Sequence, residues 1–233
     1  MSEKPDEQAE PFDKFELFAA ILLGLAAIGA ALAGYQSNLW GGKSTEAYGE
    51  AATRSTKAST QFNLAVVAIA HDLNVDIEAK KLIGEAIYSS DPAVQKRALD
   101  LASYLYTTQL SDEAYAAMKL PEEYRTGERE KRFEMPDETL SGLFDVDLED
   151  DYYNVMLTGG NKEFADADNR FDEGRKANDT GDTFDLIGVI YTVALFFAGI
   201  ALIFRTGIRW KILYLGGAVF LAATIYLIVT PWA

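Results

Sequence analysis

Long apolar runs near both ends of the chain, separated by a polar and charged stretch, are the strongest pattern in this sequence. Three runs contain no Asp, Glu, Lys or Arg: residues 17–35, 186–204 and 212–230. Each has about nineteen residues, which at 1.5 Å per residue span roughly 28 Å and nearly match the ~30 Å hydrocarbon core of a bilayer. The pattern predicts three transmembrane helices, placed at residues 14–40, 184–205 and 211–231.

A cleaved signal peptide is the alternative interpretation of the first run, because Ala31-Leu32-Ala33 resembles a cleavage site. The residues ahead of the run are mostly acidic, whereas a signal peptide begins with basic residues. The run is therefore predicted to remain in the protein as a membrane helix. The tryptophans agree with the three spans, since indole prefers the headgroup region. They lie at or just beyond the span ends and are predicted interface anchors: Trp40, Trp210 and Trp232.

The orientation follows from the short link between the second and third spans, predicted at residues 206–210. Arg205, Arg209 and Lys211 place three positive charges in and beside this link. The positive-inside rule puts such a link in the cytoplasm. The N-terminus is then cytoplasmic, whereas the large middle region and the C-terminus are extracytoplasmic, in a multi-pass protein of the cell inner membrane.

Residues 41–183 form the predicted extracytoplasmic domain and carry almost all of the net charge of −15. A surface of this sign repels nucleic acid, which is therefore not an expected partner. The three predicted spans make membrane lipids expected partners. The chain has no cysteine, which excludes disulfides and zinc thiolate sites. Residues 1–13 are acidic and contain two prolines, which predicts a disordered cytoplasmic tail that ends at Asp13, a suitable N-cap.

Apolar residues recur at helical spacing through residues 64–119. The run LAVVAIA at residues 64–70 is too short to span a membrane and is predicted to be buried helix core. The sequence SSDP at residues 89–92 combines an N-cap with a proline suited to a first helical turn, and predicts a new helix there. Prolines and glycines in residues 121–160 predict loop with short helices, and the helical pattern returns from residue 161.

Small residues recur every seven positions across the first membrane exit and again on the returning segment. Small residues let two helix backbones approach closely. The residues predicted to form a helix-packing or oligomer interface are Gly34, Asn38, Gly41, Gly174, Gly181, Asp185 and Gly188. We therefore predict an all-α membrane protein whose first two membrane helices extend outward as a long antiparallel pair carrying a helical extracytoplasmic domain. New helices after these positions are the alternative, because paired glycines weaken a helix and Asp182 or Thr183 can cap one.

The groups capable of chemistry do not combine into a recognisable site. His71 is the only histidine, and a lone histidine without cysteine cannot build a common zinc site. The acidic cluster at residues 145–151 has Asp150 and Met156 where a helix–loop–helix calcium site needs glycine and glutamate. Acids and bases alternate at helical spacing in residues 162–176, which indicates surface ion pairs. We predict no enzyme activity, no metal and no cofactor.

Two segments carry a resemblance to known sequences. They are GYQSNLWGG at residues 34–42, which contains a Tyr/Phe-Gln-x-x-x-Trp-Gly-Gly element, and LFFAGIA at residues 195–201. Both resemble segments of an uncharacterised family of bacterial three-pass membrane proteins with an extracytoplasmic helical domain. The resemblance is strongest at the two membrane exits. It implies three passes and an outer helical domain, and it leaves the function open.

Three functional hypotheses fit these observations. The favoured one is a self-associating scaffold, or an accessory subunit of a membrane complex, because the sequence has small-residue columns and lacks catalytic chemistry. The second is a homo-oligomeric cation channel with an acidic outer vestibule and Asn38 and Asp185 at its mouth. The third is an envelope sensor. A solitary transporter is disfavoured because the apolar runs contain no charged group.

Overall fold

The computed structural model describes residues 13–126, 134–148 and 150–233. Within these ranges the chain is helical and contains no β-strand, which confirms the all-α class. The helices are α1 (Lys14–Tyr88), α2 (Pro92–Thr108), α3 (Asp112–Ala117), α4 (Glu123–Thr126), α5 (Asp137–Gly142), α6 (Asp150–Ile203) and α7 (Ile208–Val229), with a 3₁₀ turn at Leu143–Asp145. Residues 1–12 of the predicted tail, and residues 127–133 of the predicted loop region, lie outside the described residues.

Three helices, α1, α6 and α7, are long and apolar enough to cross a membrane. Each contains one of the apolar runs found in the sequence, so the prediction of three candidate spans is confirmed. The connection between α6 and α7 is shorter than the predicted link, because α6 ends at Ile203 and α7 already begins at Ile208. Lys211 therefore lies inside the first turns of α7.

Two helix starts follow the predicted capping chemistry. The carboxylate of Asp13 accepts a hydrogen bond from the backbone N–H of Phe15 at 3.0 Å, at the beginning of α1. The carboxylate of Asp91 accepts one from Ala93 N at 2.9 Å, and Pro92 occupies the first position of α2. Both caps satisfy backbone donors that have no partner inside the helix, and both predictions are confirmed.

The two long helices continue through the segments where the sequence alone allowed a break. α1 passes through Gly41 and Gly42, and the Thr45 hydroxyl donates to the Gly41 carbonyl at 2.9 Å. In α6 the Thr183 hydroxyl donates back to the Asp179 carbonyl at 2.9 Å, so it does not cap a new helix. The alternative of new helices at these positions is wrong, because tertiary packing outweighs a weak local propensity.

The N-terminal part of α6 corrects a second expectation. The sequence predicted loop up to residue 160, but α6 begins at Asp150 and includes Gly159 and Gly160. Gly160 is buried, and a Cβ there would lie 3.4 Å from both the Ala58 carbonyl oxygen and the Phe62 nitrogen. This glycine therefore serves close backbone packing against α1 and makes no turn.

The chain divides into two compact units, each with its own core. We name residues 52–168 the central unit and the remaining residues, up to 51 and from 169 to 233, the terminal unit. The core of the central unit brings residues of α1 and α6 together with the short helices α2, α3 and α5. Its most completely buried side chains are Ile83, Tyr106, Tyr115, Leu140 and Tyr152.

Part of the run LAVVAIA at residues 64–70 is exposed, contrary to the prediction of buried core. Ala65 is buried, but Leu64, Val66 and Val67 are 66%, 45% and 68% exposed. A helix that packs along one side buries only the residues at helical spacing on that side, whatever the character of the others. The central unit thus presents apolar side chains of α1 to its surroundings.

The core of the terminal unit combines alanines and glycines with a few aromatic rings. Tyr191 is 1% exposed, stacks against Phe220 at 5.6 Å between ring centroids, and donates its hydroxyl proton to Thr224 Oγ1 at 3.0 Å. A Cβ at Gly29 would lie 2.5 Å from this ring. Glycine at position 29 is therefore required for α1 to approach the tyrosine of α6.

Candidate functional site

The intramolecular contact face of α1 in the terminal unit lies one residue away from the predicted columns. Its buried residues repeat every seven positions as Ala19, Ala26 and Ala33, and again two repeats later as Ala47. Gly34 is only half-buried, and Asn38 and Gly41 are exposed. Along the buried column, alanine methyl groups supply both closeness and apolar contact to the rings of α6. Gly41 also approaches α6, because its backbone nitrogen lies 3.8 Å from a Cβ built at Gly181. An interface at Gly34, Asn38 and Gly41 stays a prediction.

The predicted glycines on α6 do lie against α1. A Cβ at Gly174 would lie 2.7 Å from the ring of Tyr48, and one at Gly181 would lie 3.4 Å from the Ser37 carbonyl oxygen. Gly188 faces Ala33, and a Cβ at Gly188 would lie 3.9 Å from the Cβ of Ala33. Asp185 is exposed, since the second buried column of α6 is instead Ala177, Phe184, Tyr191 and Ala198.

A different face of α1 therefore carries the remaining small residues outward. We name it the α1 small-residue face; its members alternate three and four residues apart as Gly24, Ala27, Ala31, Gly34, Asn38, Gly41 and Thr45. All are exposed except half-buried Gly34. A Cβ added at any of its three glycines would meet nothing within 4 Å. This spacing is that of a heptad contact line on a helix, and its surface has no large side chain.

Two of the three tryptophans lie together at one end of the terminal unit. The indole N–H of Trp40 donates to the Pro231 carbonyl at 3.2 Å, and that of Trp232 donates to Leu227 at 3.1 Å. Beside them, the buried Gln36 accepts a hydrogen bond from Ala233 N at 2.9 Å through its side-chain oxygen. These bonds join the residues after α7 to the point where α1 leaves its apolar run.

The third tryptophan marks the other end of the same three helices. Trp210 packs edge-on against Phe15, with ring centroids 5.1 Å apart. Arg209 forms a salt bridge with Asp13 at 3.1 Å, and its guanidinium lies over the Phe15 ring at 4.5 Å. Arg205 and Lys211, the other predicted topology determinants, are exposed. No local pattern predicts the Asp13–Arg209 pair, because the two residues are far apart along the chain.

A groove with charged walls lies next to Trp40 in the terminal unit. It has a volume of about 480 Å³ and lies between residues 40–50 of α1 and residues 170–180 of α6. Arg170 crosses it with salt bridges to Glu50 at 2.9 Å and to Glu173 at 2.6 Å. Lys43 contributes its ammonium, which lies 4.5 Å from the centre of the Trp40 ring.

The central unit contains a buried carboxylate that sequence reasoning missed. Asp72 is fully buried and accepts hydrogen bonds from Ser111 N at 2.8 Å, Ser111 Oγ at 2.6 Å and the hydroxyl of Tyr152 at 2.5 Å. Burial, followed by the bond to Asp72, raises the pKa of Tyr152 above its usual value. No sequence pattern around Asp72 distinguishes a buried aspartate from an exposed one, so its burial could not be predicted.

Acidic side chains of the central unit form ordinary ion pairs with lysines and arginines. Asp147 binds Lys80 at 2.7 Å, and this hydrogen bond lowers the pKa of Asp147. Glu163 pairs with Lys57 and Arg54 at 2.5 and 3.2 Å. His71 is exposed, with Nε2 2.9 Å from the Gln109 carbonyl oxygen. In the described part of the chain, no group of three or more His, Asp or Glu residues is arranged to hold a metal ion.

No protein-family model, curated protein or solved structure matches the chain. The resemblance to bacterial three-pass membrane proteins therefore remains a prediction. The surfaces that bear on function are the α1 small-residue face, the exposed apolar residues of the central unit and the groove beside Trp40.

Proposed function

We propose that this chain is a self-associating scaffold protein of the cell inner membrane. The α1 small-residue face carries the proposal. A lipid bilayer gives no hydrophobic drive for helices to associate, so membrane helices associate where small residues permit close backbone contact. Gly24, Gly34 and Gly41 keep this face flat, and a Cβ added at any of the three would meet nothing within 4 Å. A second copy of the same face is the complementary surface.

Asn38 gives the face a polar position near the end of the apolar run. In coiled coils a single polar residue at a core position fixes the register and the number of helices. Asn38 is exposed in the chain, and its side chain can both donate and accept hydrogen bonds with the same residue of a second copy. This favours a symmetric contact between copies.

A second exposed surface lies outside the apolar runs. Leu64 and Val67 are each about two-thirds exposed, at 66% and 68%, within residues 51–71, which contain no Asp or Glu. Large apolar side chains that remain exposed together on a helix commonly mark contact sites between proteins.

The topology belongs to the same proposal. The N-terminus and the α6–α7 link, with Arg205 and Arg209, lie in the cytoplasm, while residues 41–183 and the C-terminus lie outside. The antiparallel arrangement of α1 and α6 is supported by the contacts of the terminal unit, where residue numbers increase along α1 while those of their partners on α6 decrease. The contacts pair 33 with 188, 37 with 181 and 48 with 174.

The absence of cysteine from the chain permits a direct test by crosslinking. An Asn38→Cys variant is expected to form disulfide-linked dimers in membranes, because two copies bring this position together. Asp182→Cys is the matched control: Asp182 is exposed, and its neighbour Gly181 lies against Ser37, so it lies at a similar depth on α6. Equal crosslinking at both positions would refute the proposed face.

The native mass of the detergent-extracted protein provides the second measurement. A scaffold of this kind has a protein mass that is a multiple of 25.6 kDa. Gly34→Leu is expected to lower that multiple without unfolding the chain, because nothing lies within 4 Å of a Cβ at this position. A wild-type protein of monomeric mass in mild detergent, together with no crosslinking of Asn38→Cys in membranes, would exclude self-association.

A further inference from the structure

The groove beside Trp40 contains more charge than its own ion pairs use. Arg170 binds both Glu50 and Glu173, so its single positive charge is shared between two carboxylates. Lys43, Lys176 and Glu46 also line the groove. Among the described residues, neither lysine ammonium has a carboxylate within 4.0 Å, and Glu46 has no basic nitrogen within that distance. The groove thus offers two cations and one anion to a bound molecule.

The position of the groove limits what that molecule is. Trp40 follows the apolar run at residues 17–35 by five positions, and its indole N–H is bonded to Pro231. An indole ring held at the end of a membrane-spanning run marks the depth of the lipid headgroups. Lys43, less than one helical turn further along α1, is stacked on this ring and therefore lies at the depth of lipid phosphates.

We propose that the groove binds the headgroup of a zwitterionic phospholipid with a primary ammonium, of the phosphatidylethanolamine class. Lys43 and Lys176 bind the phosphate oxygens, and Glu46 accepts hydrogen bonds from the lipid ammonium. Glu46 lies three positions after Lys43, which is a rise of ~4.5 Å along α1. The two-carbon spacer between phosphate and amine in this headgroup covers a similar distance.

The chemistry of the groove discriminates among membrane lipids. A quaternary ammonium has no N–H to donate, so a choline headgroup cannot form the bond to Glu46. An anionic glycerol headgroup offers the phosphate but places no cation near Glu46. Hydrogen bonds between charged groups are the strongest polar contacts available where bulk water is excluded. The ethanolamine headgroup can form them at both its phosphate and its ammonium, so the groove favours it.

The test uses the full-length protein in detergent with equal amounts of phosphatidylethanolamine, phosphatidylcholine and phosphatidylglycerol of identical acyl chains. Native mass spectrometry counts the lipids that remain bound. Wild type is expected to retain phosphatidylethanolamine, and the K43Q/K176Q variant about tenfold less of it. E46Q is expected to lose the preference for phosphatidylethanolamine over phosphatidylglycerol while still retaining phospholipid.

Controls separate this groove from nonspecific charge and from soluble ligands. Lys162→Gln removes an exposed lysine of the central unit and is expected to retain lipid like wild type. Unselective retention by wild type, or K43Q/K176Q retaining as much phosphatidylethanolamine as wild type, would overturn the proposal. If soluble O-phosphoethanolamine displaces the lipid and binds equally well, the ligand is not a membrane lipid. Lipid retention is read on each oligomeric species separately, so the outcome does not depend on self-association.

Discussion

Gly29→Ala is the sharpest test of how α1 packs against α6 in the terminal unit. The added Cβ would lie 2.5 Å from the Cζ atom of Tyr191, whereas carbon atoms in contact are normally ~3.5–4 Å apart. The ring must therefore move by ~1 Å, although it is 1% exposed and stacked on Phe220. Overpacking of this kind costs about 1–3 kcal/mol.

The hydroxyl of the same ring adds to the expected loss. Tyr191 donates to Thr224 at 3.0 Å, and breaking this bond costs about 1 kcal/mol. Alanine has a higher helix propensity than glycine, which returns about 1 kcal/mol. The free energy of unfolding of Gly29→Ala is therefore expected to fall by about 1–3 kcal/mol.

Gly34→Ala is the matched control on the same helix. A Cβ at Gly34 meets nothing within 4 Å, so only the propensity gain of about 1 kcal/mol remains. The two variants should thus differ by about 2–4 kcal/mol. The assay is reversible unfolding by sodium dodecyl sulfate in mixed micelles, followed by far-UV circular dichroism at one chain per micelle. If Gly29→Ala is as stable as Gly34→Ala, the packing described for Tyr191 is incorrect.

Three further measurements address the central unit. The fully buried carboxylate of Asp72 accepts hydrogen bonds from the backbone N–H and the hydroxyl of Ser111, and Asp72→Asn removes its charge. This variant is expected to lower the free energy of unfolding, measured by urea titration, by about 2–4 kcal/mol. Burial and then the charge of Glu122 raise the pKa of Tyr115 to about 12, above its usual value near 10. Its contribution to stability is complete below pH 10 and is lost as the pH rises toward 12, so unfolding titrations should show a decline there that Tyr115→Phe reduces. Val67→Lys is expected to change stability by less than about 0.5 kcal/mol and to lower the native mass; an unchanged mass would show that this exposed residue takes no part in association.

The spans and the caps could be predicted because each depends on a short local pattern. A run without charge of the length of the bilayer core needs no knowledge of its neighbours to be recognised. In the same way, Asp91 followed by Pro92 satisfies the start of α2 with residues two positions apart. The continuation of α1 through Gly41 and Gly42 was less certain, because the propensity loss is local while the packing that offsets it comes from α6.

The side of α1 that meets α6 could not be determined from the sequence. Alanines at 26 and 33 and small residues at 27 and 34 form equally regular columns one position apart. A rotation of α1 by one residue exchanges them, and only the rings of α6 decide between them. The same limit applies to residues 64–70, because an apolar run does not show which of its positions are buried. It also applies to Asp72, whose hydrogen-bond partners lie elsewhere in the chain.

The distribution of tryptophan has a practical consequence for spectroscopy. All three indoles belong to the terminal unit, and residues 52–168 contain none. Intrinsic tryptophan emission is therefore a signal from the terminal unit alone, while tyrosine absorbance in the near ultraviolet samples both units. Quenching by lipids brominated near the headgroup should reduce emission from Trp40, Trp210 and Trp232, and bromine at the bilayer centre should leave it bright. A denaturation curve recorded by emission can thus be compared with one recorded by ellipticity to separate the melting of the two units without any added label.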